Sequence, residues 1–130
     1  MYIKEVLNYD YNYAEYIVTD GEYNLICICG SVPLPESKEP KKGMNVAEII
    51  VFAPDGMNAT RIEGDENKRH LIKKGKHPLS YYLQAEIVDR ERHLVRIGGL
   101  IIETERLPTD YKNGEFIGFE VDRLDCYLDV

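Results

Sequence analysis

From Tyr81 to Val88 the side chains alternate. Tyr81, Leu83, Ala85 and Ile87 form an apolar set, and Tyr82, Gln84, Glu86 and Val88 a mixed one. A period of two puts each set on its own face, so residues 81–88 predict a half-buried β-strand. Stretches rich in β-branched and aromatic residues recur at 2–7, 13–19, 22–29, 46–52, 93–104 and 116–121. Such residues suit a pleated surface, and seven candidate strands fill much of the chain.

The punctuation between strands has its own chemistry. Asp20-Gly21 accepts the positive φ angles of a type I′ turn and predicts a hairpin joining 13–19 to 22–29. Asp55-Gly56 after Pro54, and the polar run 89–92, predict turns between further antiparallel neighbours. Residues 31–43 hold Pro33, Pro35 and Pro40 among five charged side chains, which predicts a long exposed loop. One short helix has room to form: Asp65 caps a turn running through Leu71 and Ile72, Lys73 and Lys74 sit at its negative end, and Gly75 stops it. Gly98-Gly99 inside an apolar stretch marks a bulge or a barrel corner.

This order of elements predicts an all-β fold with room for that one helix: a small antiparallel, partly open barrel, OB-like with extra strands. A β-sandwich is the alternative. The likeness is architectural. With 130 residues, one β-rich domain over 1–130 is expected, large enough to bury a core without staples.

Composition narrows the partners. A hydrophobic share of 44% beside a charged share of 30% is that of a globular chain and argues against disorder. The net charge of −7 repels phosphate backbones at long range and favours a cationic partner. Residues 1–8 lack the pattern of an export signal, and the apolar run 97–102 is far below the roughly 20 residues of a membrane helix. No membrane partner is expected. Cys27, Cys29 and Cys126 are odd in number, and Cys27 and Cys29 are too close along one strand to bridge. They are expected as inert buried thiols in a cytoplasmic protein.

Two features stand out as candidate binding residues. The first is the basic segment Lys68, Arg69, His70, Lys73, Lys74, Lys76 and His77, which has no acid within it and suits phosphate or another anion. Its bland counterpart is a solvated loop neutralising Glu63, Asp65 and Glu66 just upstream. The second is tyrosine, which supplies 10 side chains against 3 Phe and no Trp. If Tyr9, Tyr11 and Tyr13 share a strand, their odd spacing puts three rings on one face, ready to stack on bases or anchor a protein partner. The bland counterpart is half-buried packing with hydroxyls in water.

Other chemistry is sparse. No phosphate loop, nucleophile elbow, zinc or calcium pattern is present, so neither cofactor nor metal is expected. His93 lies near Asp89 and Glu91, but a catalytic base also needs a nucleophile and an oxyanion donor. Glu115, Glu120, Asp122, Asp125 and Asp129 make the end of the chain acidic, either to steer a basic partner or to protect an edge strand. The expectation is a non-enzymatic protein-binding module acting through the tyrosine-rich hairpin or the acidic last strand, such as an inhibitor or immunity protein for a basic partner. Single-stranded nucleic-acid binding and an enzyme of unknown class are the alternatives.

Overall fold

The computed structural model describes residues 1–10, 13–29 and 39–129. Eleven strands follow one another: β1 (Tyr2–Asp10), β2 (Tyr13–Thr19), β3 (Asn24–Cys29), β4 (Val46–Phe52), β5 (Thr60–Arg61), β6 (Leu71–Lys74), β7 (Tyr81–Asp89), β8 (Leu94–Ile97), β9 (Leu100–Glu103), β10 (Phe116–Val121) and β11 (Arg123–Leu128). They form one open sheet in the order β1-β2-β3-β11-β4-β9-β8-β7-β10-β5, with β6 beside β7. The fold is all-β, as the alternation predicts. The pairing is mixed: β11 runs parallel to β3 and β4 parallel to β9, while the remaining pairs are antiparallel.

Alternation builds the core directly. On β7, Tyr81, Leu83, Ala85 and Ile87 are buried, and they meet Tyr16, Leu25, Ile49, Ile102, Phe119 and Leu124 in one apolar cluster. The sheet curls far enough for β7 to reach β3, where the Tyr81 hydroxyl accepts the Ile26 N–H at 2.9 Å. Burial pushes the Tyr81 phenol above its ordinary pKa, against that hydrogen bond.

Several elements differ from expectation. The predicted helix is a single 3-10 turn at Asp65–Asn67, after which Leu71–Lys74 is strand β6 on the edge of β7. Only Leu71 and Ile72 are apolar there, too few to repeat along a helix face, and Ile72 packs on the core instead. Gly98 and Gly99 are neither bulge nor corner but the tight turn between β8 and β9, with Ile97 opposite Leu100 and Gly98 at φ 58°. The Pro54–Gly56 turn forms, with Gly56 N–H donating to Ala53 at 2.8 Å, yet β4 does not pair with β5. The predicted loop at 31–43 falls in part outside the described residues, which resume at Glu39 with Pro40 buried and Lys41 and Lys42 exposed.

The hairpin at Asp20-Gly21 forms with different turn chemistry. Only Gly21 has positive φ, and the Asp20 carboxylate accepts the N–H groups of Glu22 (2.8 Å) and Tyr23 (2.7 Å). Its other oxygen accepts the Gly99 N–H at 2.6 Å, which ties the β2–β3 turn to the β8–β9 turn. On the other side of that turn, Gly98 N–H donates to His70 Nδ1 at 2.7 Å. His70 is therefore a structural partner of the turn, wedged between the rings of Tyr23 and Phe116, rather than a member of a cationic surface.

Cys27, Cys29 and Cys126 lie buried in the core with no disulfide among them, and the Tyr16 hydroxyl lies against Cys29. A hydrogen bond to Cys27 and burial push the Cys126 thiol well above its ordinary value. A thiol reagent at neutral pH is expected to label none of the three in the folded chain and all three in denaturant, read by mass spectrometry. Rapid native labelling would contradict this packing.

Candidate interaction surface

The register of the strands assembles a row that no sequence window contains. Glu15 on β2 lies opposite Ile28 on β3, Ile28 opposite Asp125 on β11, Asp125 opposite Ile50 on β4, and Ile50 opposite Glu103 on β9. Each member is partly exposed while its chain neighbours are buried, so the row lies on the outer face. Acids and isoleucines alternate across five strands at the strand spacing of about 4.8 Å. Flanking it, Phe52 on β4 and Tyr127 on β11 are 38% and 37% exposed, unusual for large apolar side chains. The guanidinium of Arg123 covers one side of Phe52, 4.0 Å from its ring centroid, and pairs with Asp125 at 2.9 Å.

The same face has a concavity. The parallel pair β4 and β9 is in register only at Ile50 and Glu103, and the Ile101 N–H donates to the Met1 sulfur at 3.3 Å instead of to β4. Beside this gap lies a hollow of about 460 Å³ lined by Glu48, Glu103, Leu94, Ile101, Arg92 and His93. Among the described residues neither Glu48 nor Glu103 has an ion-pair partner. His93 is a corner residue at φ 58° whose Nδ1 accepts the Leu107 N–H at 3.2 Å and whose carbonyl accepts the Thr104 N–H at 2.8 Å.

The tyrosines expected on one face separate. Tyr9 belongs to β1 and Tyr13 to β2, and Tyr11 lies outside the described residues. Two register shifts in β1, between Ile3 and Glu5 and between Val6 and Asn8, turn every third residue inward, so Tyr9 packs against the core. Tyr13 points outward beside Glu15, to which its hydroxyl donates at 2.7 Å. Partial burial and that carboxylate push the Tyr13 phenol up to about 12, so it stays a donor at physiological pH.

The basic segment also divides. Lys68 pairs with Asp65 at 3.2 Å, and Arg69 is exposed. Lys74 donates to the Pro78 carbonyl and sits 4.8 Å from the Tyr81 ring centroid, which commits it to its own hairpin. Lys73 and Lys76 border a groove of about 540 Å³ whose far wall carries Glu120 and Asp122. The acidic end of the chain disperses as well: Glu115 pairs with Arg61 at 2.6 Å, Glu120 and Asp122 enter the groove, and Asp125 joins the outer row. β11 is no protected edge, because it lies between β3 and β4.

Sequence reasoning missed Glu15, Glu48 and Glu103 and the isoleucines between them. The available signal was alternation within each strand, but register joins them and register is not written in any one strand. No protein-family model, curated protein or solved structure matches the chain.

Proposed function

We propose that the chain is a non-enzymatic binding module whose outer face over β2, β3, β11, β4 and β9 captures a basic protein. The observation that carries this reading is the hollow lined by Glu48 and Glu103, two carboxylates without ion-pair partners among the described residues, together with the apolar Leu94 and Ile101 and a single guanidinium, Arg92. An arginine or lysine of the partner fits such a site, its aliphatic stem on the apolar floor and its charged head between the acids. Ile28, Ile50, Phe52 and Tyr127 supply the apolar contact, and the net charge of −7 speeds encounter with a cation. Three buried cysteines with no disulfide among them suit a reducing, intracellular setting.

Nucleic acid is the weaker reading, since Glu120 and Asp122 oppose phosphate in the groove that Lys73 and Lys76 border. An enzyme acting through His93 is weaker still, because one imidazole nitrogen is occupied by the backbone.

The test is titration with a synthetic amphipathic Lys/Leu peptide and with a scrambled peptide of the same composition, followed by NMR. The patterned peptide is expected to shift resonances around Glu48, Ile50 and Glu103, and the double variant Glu48→Gln/Glu103→Gln to weaken it about tenfold or more. Equal affinity for variant and wild type, or for both peptides, would contradict the proposal.

A further inference from the structure

The groove beside β6 shows an arrangement independent of the outer face over β4 and β9. Lys73 lies opposite Tyr82, and Tyr82 opposite Glu120, so a cation, an aromatic ring and an anion stand in one row across three strands. Two strand spacings place the charged residues' backbones about 10 Å apart. Here Lys73, Lys76, Glu120 and Asp122 form no ion pair among the described residues, although all four border the same groove.

Tyr82 is held in place by its neighbours. Gln84 Nε2 donates to the Tyr82 hydroxyl at 3.1 Å, and that hydroxyl occupies the place where a side chain on Gly118 would stand. Glycine at 118 thus lets the tyrosine ring lean over the Gln84–Gly118 pair, beside the row that holds Lys73 and Glu120. The acids are fixed by their own backbone: Glu120 N–H donates to Met57 at 3.3 Å and Asp122 N–H to Phe52 at 3.0 Å. Beyond the Tyr82–Glu120 ridge a second hollow of about 230 Å³ continues toward Met57, Asn58 and Thr60.

We propose that this groove binds a short peptide carrying both signs of charge, with a carboxylate at Lys73 and Lys76 and an ammonium or guanidinium at Glu120 and Asp122. A purely anionic ligand meets Glu120 and Asp122, and a purely cationic one meets Lys73 and Lys76. Only a ligand of both signs satisfies all four charges. The volume of about 540 Å³ suits a few residues, and the Tyr82 ring in its lining supplies apolar contact.

The probe is the end-blocked tetrapeptide Glu-Gly-Gly-Lys, whose charges reside on side chains alone. It is compared by NMR titration with Glu-Gly-Gly-Glu, Lys-Gly-Gly-Lys and inorganic phosphate. The mixed peptide is expected to bind about tenfold or more tightly than each of the others, with shifts centred on Tyr82, and Lys73→Glu and Lys76→Glu each to weaken it about tenfold. Thermal unfolding of both exposed-site variants is expected to match the wild type, so loss of binding does not report misfolding. Glu48→Gln/Glu103→Gln, which tests the outer face, is expected to leave this titration unchanged. Equal binding of a single-sign peptide or of phosphate, or no saturation of the mixed peptide up to about 10 mM, would overturn the proposal.

Discussion

Gly98→Ala is expected to destabilise the chain by about 2–4 kcal/mol. Gly98 has φ 58°, where an L-residue is strained, and a Cβ there would stand 2.5 Å from Tyr23 Cδ2 and 2.6 Å from Asp20 Oδ2. Neither neighbour is free to retreat: Tyr23 packs against His70, and Asp20 accepts three backbone N–H groups. Gly114 separates backbone strain from crowding, since it has φ 90° and nothing within 4 Å of its added Cβ. Gly114→Ala is expected to cost only about 1–2 kcal/mol. Urea unfolding of both variants measures the difference, and equal losses would mean that the β8–β9 turn is not packed as described.

Asp20→Ala is expected to cost about 2–3 kcal/mol, because hydrogen bonds to a charged acceptor are lost and the donors of two turns are released together. Partial burial raises the Asp20 pKa, but the N–H groups of Tyr23, Gly99 and Glu22 outweigh it and hold the carboxyl below its ordinary value. A depressed folded-state pKa contributes stability above the unfolded value of about 3.9, and that contribution is lost as pH falls through the folded value. The difference between wild type and Asp20→Ala is therefore expected to hold steady from neutral pH down to about pH 4 and to shrink below it. A difference unchanged under acid would show that the carboxylate charge contributes nothing to joining the two turns.

The parts of the fold legible in the sequence are those set within a single strand. Strand β7, the β2–β3 hairpin and the apolar stretches at β4 and β10 follow from local alternation and turn residues. β11 was hidden by its acids, although Leu124, Cys126 and Leu128 alternate inward beneath them. β6 reads as helix in the sequence because four residues carry no decisive period, and its neighbour β7 decides the outcome. β5, with two residues, gives no local signal at all.

The candidate surfaces were legible only in fragments. Lys73 and Lys76 stand out by their charge, but Glu120, which adds the opposite sign to their groove, is 47 positions beyond Lys73 and reaches it through Tyr82. Tyr9 and Tyr13 carry the odd spacing of one face, yet a chain reversal and two bulges put one inside and the other out. The acid–isoleucine row spans five strands from Glu15 to Glu103, and pairing between distant strands is set by the packed core.

Binding of a basic protein to the outer face is measured most directly by affinity capture at low salt, with nuclease, from the cells that make the chain. Wild type, Glu48→Gln/Glu103→Gln and Lys73→Glu are compared side by side. Capture of one basic protein in stoichiometric amount by wild type and Lys73→Glu, lost with Glu48→Gln/Glu103→Gln and released by salt, is the predicted result. Nuclease-sensitive nucleic acid as the main captured species, or equal capture by Glu48→Gln/Glu103→Gln, would contradict it.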